Sequence, residues 1–277
     1  MNLFYENHLG EKIHFYRSPY ILTSHDFFDW LMSFSTVGDR STAYRLNAVE
    51  RQFTVQIMPR QANADARLAE YADLIDAFND ITSKDTNTTG KLWTDNGEYI
   101  DCQIYSVAHS DWNIARNVTL TCKLRVDRPV WQRPKDYSFE PVTEFEYDWL
   151  DYPYDYEYDY KATLPGYQTV ENTGTEPCAY ILTIYGSSTA PVVWFNGLNR
   201  VGASVMLGSA EKLIVNTQSK TVIKVSNGQE ISVFDKRFKD AVSMFEPLPV
   251  GVTSLQWSGL FAFDVTLLEE RRSPRWN

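Results

Sequence analysis

Side chains alternate between apolar and polar along most of this sequence, a period of two that belongs to strands lying on a core. From Asn117 to Val126 the alternation is unbroken: Val118, Leu120, Cys122, Leu124 and Val126 share one side, and the polar residues share the other. Phe53-Thr54-Val55-Gln56-Ile57 repeats the pattern, and so does Glu98 to Val107. In the second half the runs are short and sit between turn residues: Glu171-Asn172-Thr173-Gly174, Pro191, Asn196-Gly197, Asn227-Gly228 and Pro249-Val250-Gly251. Asn-Gly suits a tight hairpin because both central residues of a type I′ turn need positive φ. The runs predict strands at Ala179 to Tyr185, Val192 to Phe195, Ala203 to Leu207, Lys212 to Asn216, Thr221 to Ser226, Val252 to Trp257 and Phe261 to Leu268. Many short strands without a helix between them predict a β-sandwich.

One segment breaks the pattern. Between Asn63 and Ile81, Leu68, Tyr71, Ala72, Ile75 and Phe78 recur at helical spacing, with Asn63 or Asp65 placed to cap the start. This predicts a single helix with one face on a sheet and the other in water. The apolar patch Phe27 to Phe34 fits either a strand or one helical turn. At Asp127 to Asp136 two prolines interrupt regular structure, and the charge composition changes just beyond. A domain break is expected near Arg133-Pro134, dividing the chain into 1–134 and 135–277. The expected fold is mainly β: an N-terminal β-barrel or sandwich with one α-helix, then a C-terminal β-sandwich.

Charge is concentrated. The net charge is −10, and Asp136, Glu140, Glu144, Glu146, Asp148, Asp151, Asp155, Glu157 and Asp159 fall in one stretch without Lys or Arg, leaving the remainder close to neutral. No basic footprint for phosphate is visible, which argues against tight nucleic-acid binding. In Tyr154 to Tyr160, tyrosines and acids strictly alternate, so a strand here would pack its tyrosines and turn its acids outward. Aromatic residues reach 14% of the chain, a content suited to interfaces and equally to sugar sites.

Reactive chemistry is hard to find. His8, His14, His25 and His109 have no ligand spacing, and read as ordinary surface or core residues. Cys102, Cys122 and Cys178 are odd in number and far apart, which predicts buried free thiols. Acids along one strand face point the same way and lack the opposed geometry of a glycosidase pair. They also lack calcium-loop spacing. Glu269-Glu270 beside Arg271-Arg272 reads as solvated charge. Trp194, Trp257 and Trp276 could each offer a sugar platform, but Val193 and Phe195 beside Trp194, and Leu255 two positions before Trp257, favour packing in the core. No catalytic, cofactor or metal residue is assigned, and no enzyme is expected. Neither a signal peptide nor a transmembrane stretch is apparent, so assembly in a bacterial cytoplasm without membrane partners is expected.

Taken in order, the motifs resemble a known family. Arg128-Pro129-Val130-Trp131 closes the helix-bearing half; Tyr152-Pro153-Tyr154-Asp155-Tyr156 and Glu171-Asn172-Thr173-Gly174-Thr175-Glu176-Pro177 come next. Then come Ile181-Leu182-Thr183-Ile184-Tyr185-Gly186, Ala190-Pro191-Val192-Val193, and Leu213-Ile214-Val215-Asn216-Thr217 ahead of Asn227-Gly228. Phe245-Glu246-Pro247-Leu248-Pro249-Val250-Gly251-Val252 and a terminal Pro274-Arg275-Trp276 complete the set. The series is similar to the distal tail proteins of long-tailed phages that infect Gram-positive bacteria. It is strongest from Tyr152 to Gly251 and weaker before about Arg60; the order carries it, since no single motif is specific.

The resemblance implies a virion protein of the tail tip, a homohexameric ring made by the N-terminal domains with galectin-like C-terminal domains projecting outward. It implies a joint between the tail tube protein and the tail-tip protein, with receptor-binding proteins attached in some phages and DNA passing through the channel unbound. A galectin-like shape does not by itself bring sugar binding. The competing reading is a lectin-like host-adhesion tail protein, which glycan binding would reveal; a neighbouring tube or baseplate protein is a further alternative.

Overall fold

The computed structural model describes residues 2–29, 32–46, 48–85, 88–110, 117–142, 166–240 and 242–275. The Tyr154 to Tyr160 strand expected from sequence, and Trp276, lie outside the described residues. The chain divides into two compact units, Met1–Arg133 together with Glu270–Asn277, and Pro134–Glu269. It therefore passes from one unit to the other twice, within the Trp131–Phe139 strand and within the Phe263–Arg271 strand. The expectation that prolines stop a strand at this boundary does not hold, since Trp131–Phe139 continues through Pro134. Its pairing to the Tyr99–His109 strand is at Gln132. Pro134 thus lies beyond that ladder, where its missing N–H withdraws no bond from it.

The first unit is a curled antiparallel sheet closed by the helix. Tyr99–His109 is its spine: one edge pairs with Gly90–Thr94, which pairs with Leu3–Glu6 and through it Lys12–His14. The other edge pairs with Thr119–Val126, then Val49–Ile57, Tyr20–His25 and Tyr16–Arg17. A register shift between Lys123 and Leu124 bends this ladder, as bulges do in sheets that curl. The alternation read from sequence holds, since Leu120, Cys122, Leu124, Phe53, Val55 and Ile57 are all buried.

The helix spans Ala64–Ser83, and the Asn63 side chain accepts from the N–H groups of Asp65 and Ala66 at 3.0 and 3.4 Å. Tyr71, Ile75, Phe78 and Thr82 form its buried face. Phe78 packs edge-on against Tyr20, whose hydroxyl donates to the Leu74 carbonyl at 2.7 Å.

The second unit is a sandwich. One sheet orders Gln229–Ser232, Thr221–Ser226, Lys212–Asn216, Ala179–Tyr185, Phe263–Arg271 and Trp131–Phe139; the other orders Gly166–Asn172, Gly251–Trp257, Val192–Phe195 and Asn199–Gly202. Leu182, Ile184, Leu213, Val215, Val265 and Leu267 from the first sheet meet Val193, Phe195, Val201, Leu255 and Trp257 from the second. Each fully buried side chain of this kind stabilises by about 1.5–3 kcal/mol relative to exposure.

Asn227 and Gly228 have φ of 51° and 79° and join Ser226 to Gln229 as the expected two-residue hairpin. Four expected strands hold at both ends: Ala179–Tyr185, Val192–Phe195, Lys212–Asn216 and Thr221–Ser226. The run Ala203 to Leu207 does not form one strand. The chain leaves the sheet after Gly202, and Met206–Leu207 pairs with Ser188–Thr189 in a separate ribbon.

Candidate interaction surfaces

The side chains singled out for chemistry prove to be widely separated or structural. His8 meets the carboxylate of Asp85: its backbone N–H donates to Oδ1 at 3.0 Å, and ring Nδ1 lies 2.5 Å from the same atom. Tyr5 donates its hydroxyl to the other carboxylate oxygen, and the Gln103 amide donates to the Asp85 carbonyl. Burial first, and the bond to Asp85 second, push the Tyr5 phenol far above its ordinary range. Lys84, next in sequence, bridges Glu11 at 2.9 Å and Asp80 at 2.8 Å. This network ties the end of the helix to the N-terminal hairpin. Gly90 completes it, because a Cβ there would overlap the Tyr5 phenol and the Asp85 carboxylate.

His25 stacks on Phe27, and burial lowers its pKa. The three cysteines are free and buried. Burial raises the Cys122 thiol to about 12, so it stays protonated and unreactive. Among the described residues no cluster of three His, Cys, Asp or Glu is placed to hold a metal ion, and no helix is long and apolar enough to cross a membrane.

Two expectations need correction. Glu269 is not solvated: it is 2% exposed and accepts from the Thr173 N–H at 3.0 Å and the Thr173 hydroxyl at 2.7 Å. In the Phe263–Arg271 strand three consecutive residues, Leu267, Leu268 and Glu269, are buried, so alternation fails where both faces are covered. Trp257 packs in the core as expected, but Trp194 does not. Val193 and Phe195 take the inward positions, which turns Trp194 to the outer face of the four-stranded sheet, half-buried.

The surface most suited to assembly is not legible in sequence as an element. Phe27 to Phe34 is neither one strand nor one helical turn: Phe27 is buried in the first core, and Met32–Val37 begins a hairpin with Arg40–Leu46. Val37 faces Arg40 across Gly38-Asp39, with Gly38 at φ 62°. A Gly-Asp pair between two candidate strands is the mark that could expose it. Among the described residues this hairpin forms its own two-stranded sheet. Positions 33–41 are all exposed; Phe34 is 61% and Val37 72% accessible. An isolated two-stranded hairpin is marginal in water, so a protein that keeps one extended with apolar side chains outward gains from a partner surface.

A shallow groove on the second unit, about 420 Å³, is lined by Phe234, Phe238 and Phe245 with Lys220, Arg237 and Lys239. It is open, and the carboxylate in its lining, Asp240, is taken up by a two-pronged pair with Arg200.

No family model matches the sequence, and no curated protein matches it significantly. Solved structures do. The chain is similar to the SPP1 Dit protein, described as a paradigm of the hub adsorption apparatus in phages infecting Gram-positive bacteria: TM-score 0.58, 10% identity, 98% of each chain covered. Chains of the phage P2 baseplate in its activated conformation match with Ca at TM-score 0.63 and with Sr at 0.61, each at 10% identity and 99% coverage of both chains. End to end, this mainly β chain has the fold seen in those phage hub and baseplate proteins.

Proposed function

We propose that the chain is a structural hub of a phage tail tip, a hexameric ring that joins the tail tube to the tail-tip protein and lets DNA pass without gripping it. The observation that carries this reading is the likeness in fold to a tail hub protein across both units, from one end of the chain to the other. The residues support it. The Met32–Leu46 segment offers a neighbouring copy a hairpin with Phe34 and Val37 exposed, the three cysteines are buried, and Tyr5, His8 and Asp85 are engaged in holding the fold. We read the first unit, Met1–Arg133 with Glu270–Asn277, as ring-forming and the second, Pro134–Glu269, as a peripheral sandwich open to other tail proteins, including receptor-binding ones. The role is mechanical and needs no reaction. Imaging of the purified full chain tests the proposal: hexameric rings, single or stacked back to back, are expected, and dispersed monomers at every concentration contradict it.

A further inference from the structure

The shallow groove of the second unit joins exposed rings to cations. Phe234, Phe238 and Phe245 line it together with Lys220, Arg237 and Lys239. Phe234 and Phe245 stack with ring centres 5.9 Å apart, and the Arg237 guanidinium lies 3.9 Å from the Phe234 ring centre. Phe234 and Val242 remain 39% and 37% exposed. Asp240 gives the lining no free negative charge, because both its oxygens are held by Arg200 at 2.6 and 2.8 Å. Among the described residues Lys220, Arg237 and Lys239 form no ion pair with a carboxylate, and both lysines are exposed.

Rings flanked by uncompensated cations fit a peptide that brings aromatic side chains and carboxylates together. The sequence holds such a stretch. Between Glu144 and Asp159 acids are interspersed with tyrosines, Phe145 and Trp149, and no Lys or Arg interrupts them. The stretch lies outside the described residues, but both of its flanks are placed. Val142 donates its N–H to the Gly259 carbonyl at 2.8 Å, and Gly166 pairs opposite Trp257. Gly166 opens one edge strand of the four-stranded sheet. Asn199–Gly202 is the opposite edge, three strand spacings or about 14 Å away. That far edge meets the groove through Arg200 on Asp240, and through the Asn199 amide on the Ser243 carbonyl at 3.3 Å. At about 3.3 Å per residue, the chain between Val142 and Gly166 extends to on the order of 70 Å, enough to cross the sheet and return.

Other occupants fit less well. Nucleic acid meets a chain of net charge −10, with Asp235 and Glu246 beside the groove residues in sequence. A separate acidic protein meets the same cations without a tether. Exposed ion pairs are individually weak, whereas a tethered segment acts at an effective concentration in the millimolar range.

We propose that the acidic, tyrosine-rich stretch from Glu144 to Asp159 docks in the Phe234–Phe238–Phe245 groove of its own molecule, with its carboxylates against Lys220, Arg237 and Lys239. Groove and stretch both belong to Pro134–Glu269, so the docking stands or falls separately from ring formation. The test is carbodiimide coupling of the full chain, mixed from equal parts of 15N-labelled and unlabelled protein, with the joined peptides read by mass spectrometry. Lys220 and Lys239 are expected to couple to acids between Glu144 and Asp159 within single molecules, about fivefold more than the exposed Lys123 of the first unit does. Lys220→Gln combined with Lys239→Gln, at exposed positions that do not endanger the fold, should speed chymotrypsin cleavage between Tyr147 and Tyr160 about fivefold or more. Coupling that occurs only between copies, coupling no greater than at Lys123, or cleavage unchanged in the double variant each overturns the inference. Oligothymidylate bound in the groove with the stretch uncoupled overturns it too, and assigns the groove to nucleic acid.

Discussion

Two hairpins in this protein share a local form and differ in everything around it. Lys212–Asn216 and Thr221–Ser226 pair across a short turn, in which the Asn216 side chain accepts from the N–H groups of Gln218 and Ser219 at 2.9 and 3.1 Å. That hairpin is stitched into a sheet and drives Leu213, Val215 and Val222 into the sandwich core. Met32–Val37 and Arg40–Leu46 pair across Gly38-Asp39, and the described pairing goes no further than the two strands. A turn and a ladder are enough to make either one. The role of each is set by where its apolar side chains go: the first completes the unit it belongs to, and the second presents Phe34 and Val37 outside.

Substitutions can break that contrast. Leu213→Ala in the docked hairpin removes a fully buried side chain and should cost about 2–5 kcal/mol in urea unfolding of the full chain. A loss below about 1 kcal/mol would mean the core closes over the gap and the hairpin is not integral. In the first unit, where the N-terminal hairpin is tied by polar groups instead, Asp85→Ala should cost about 3 kcal/mol. It leaves the buried Tyr5 hydroxyl and the His8 N–H without their acceptor. Asp85→Asn should recover part of the loss, because one amide oxygen remains.

Acid sharpens the comparison. Beside the docked hairpin, the Lys224 ammonium first, then Ser226 and the Gly208 N–H, hold the Glu211 carboxyl at about 2 instead of its ordinary 4.5. Lys224 and Glu211 are 2.6 Å apart. A depressed folded pKa contributes stability that is fully present above 4.5 and is lost as pH falls through about 2. Thermal melts should therefore decline across that interval, and Lys224→Met should flatten this part of the decline. The smallest effect is expected at the tip of the Met32–Leu46 hairpin: Val37→Asp, at an exposed position, should change monomer stability by no more than about 0.5 kcal/mol.

How far the sequence reveals each feature depends on how local that feature is. The Thr119–Val126 strand, the capped helix and the Asn227-Gly228 turn are specified by neighbours in sequence, and each is legible there. Trp194 is not, because Val193, Trp194 and Phe195 are all apolar and only the partner sheet decides which two face it. Glu269 looks solvated in sequence because its acceptor role depends on Thr173, far away along the chain. Met32–Leu46 is hidden for a related reason: in Phe27 to Phe34 a buried residue and an exposed one belong to different elements, and apolar character alone does not separate them.

Solution mass of the purified full chain, measured beside Val37→Asp, tests the central claim that the exposed tip of the Met32–Leu46 hairpin meets another copy. The wild-type chain should form a hexamer, and the variant should fall apart to monomers that stay folded and melt below the hexamer only by the stabilisation that assembly supplies. A wild-type chain that is monomeric at every concentration, or a variant that still forms the full ring, contradicts it.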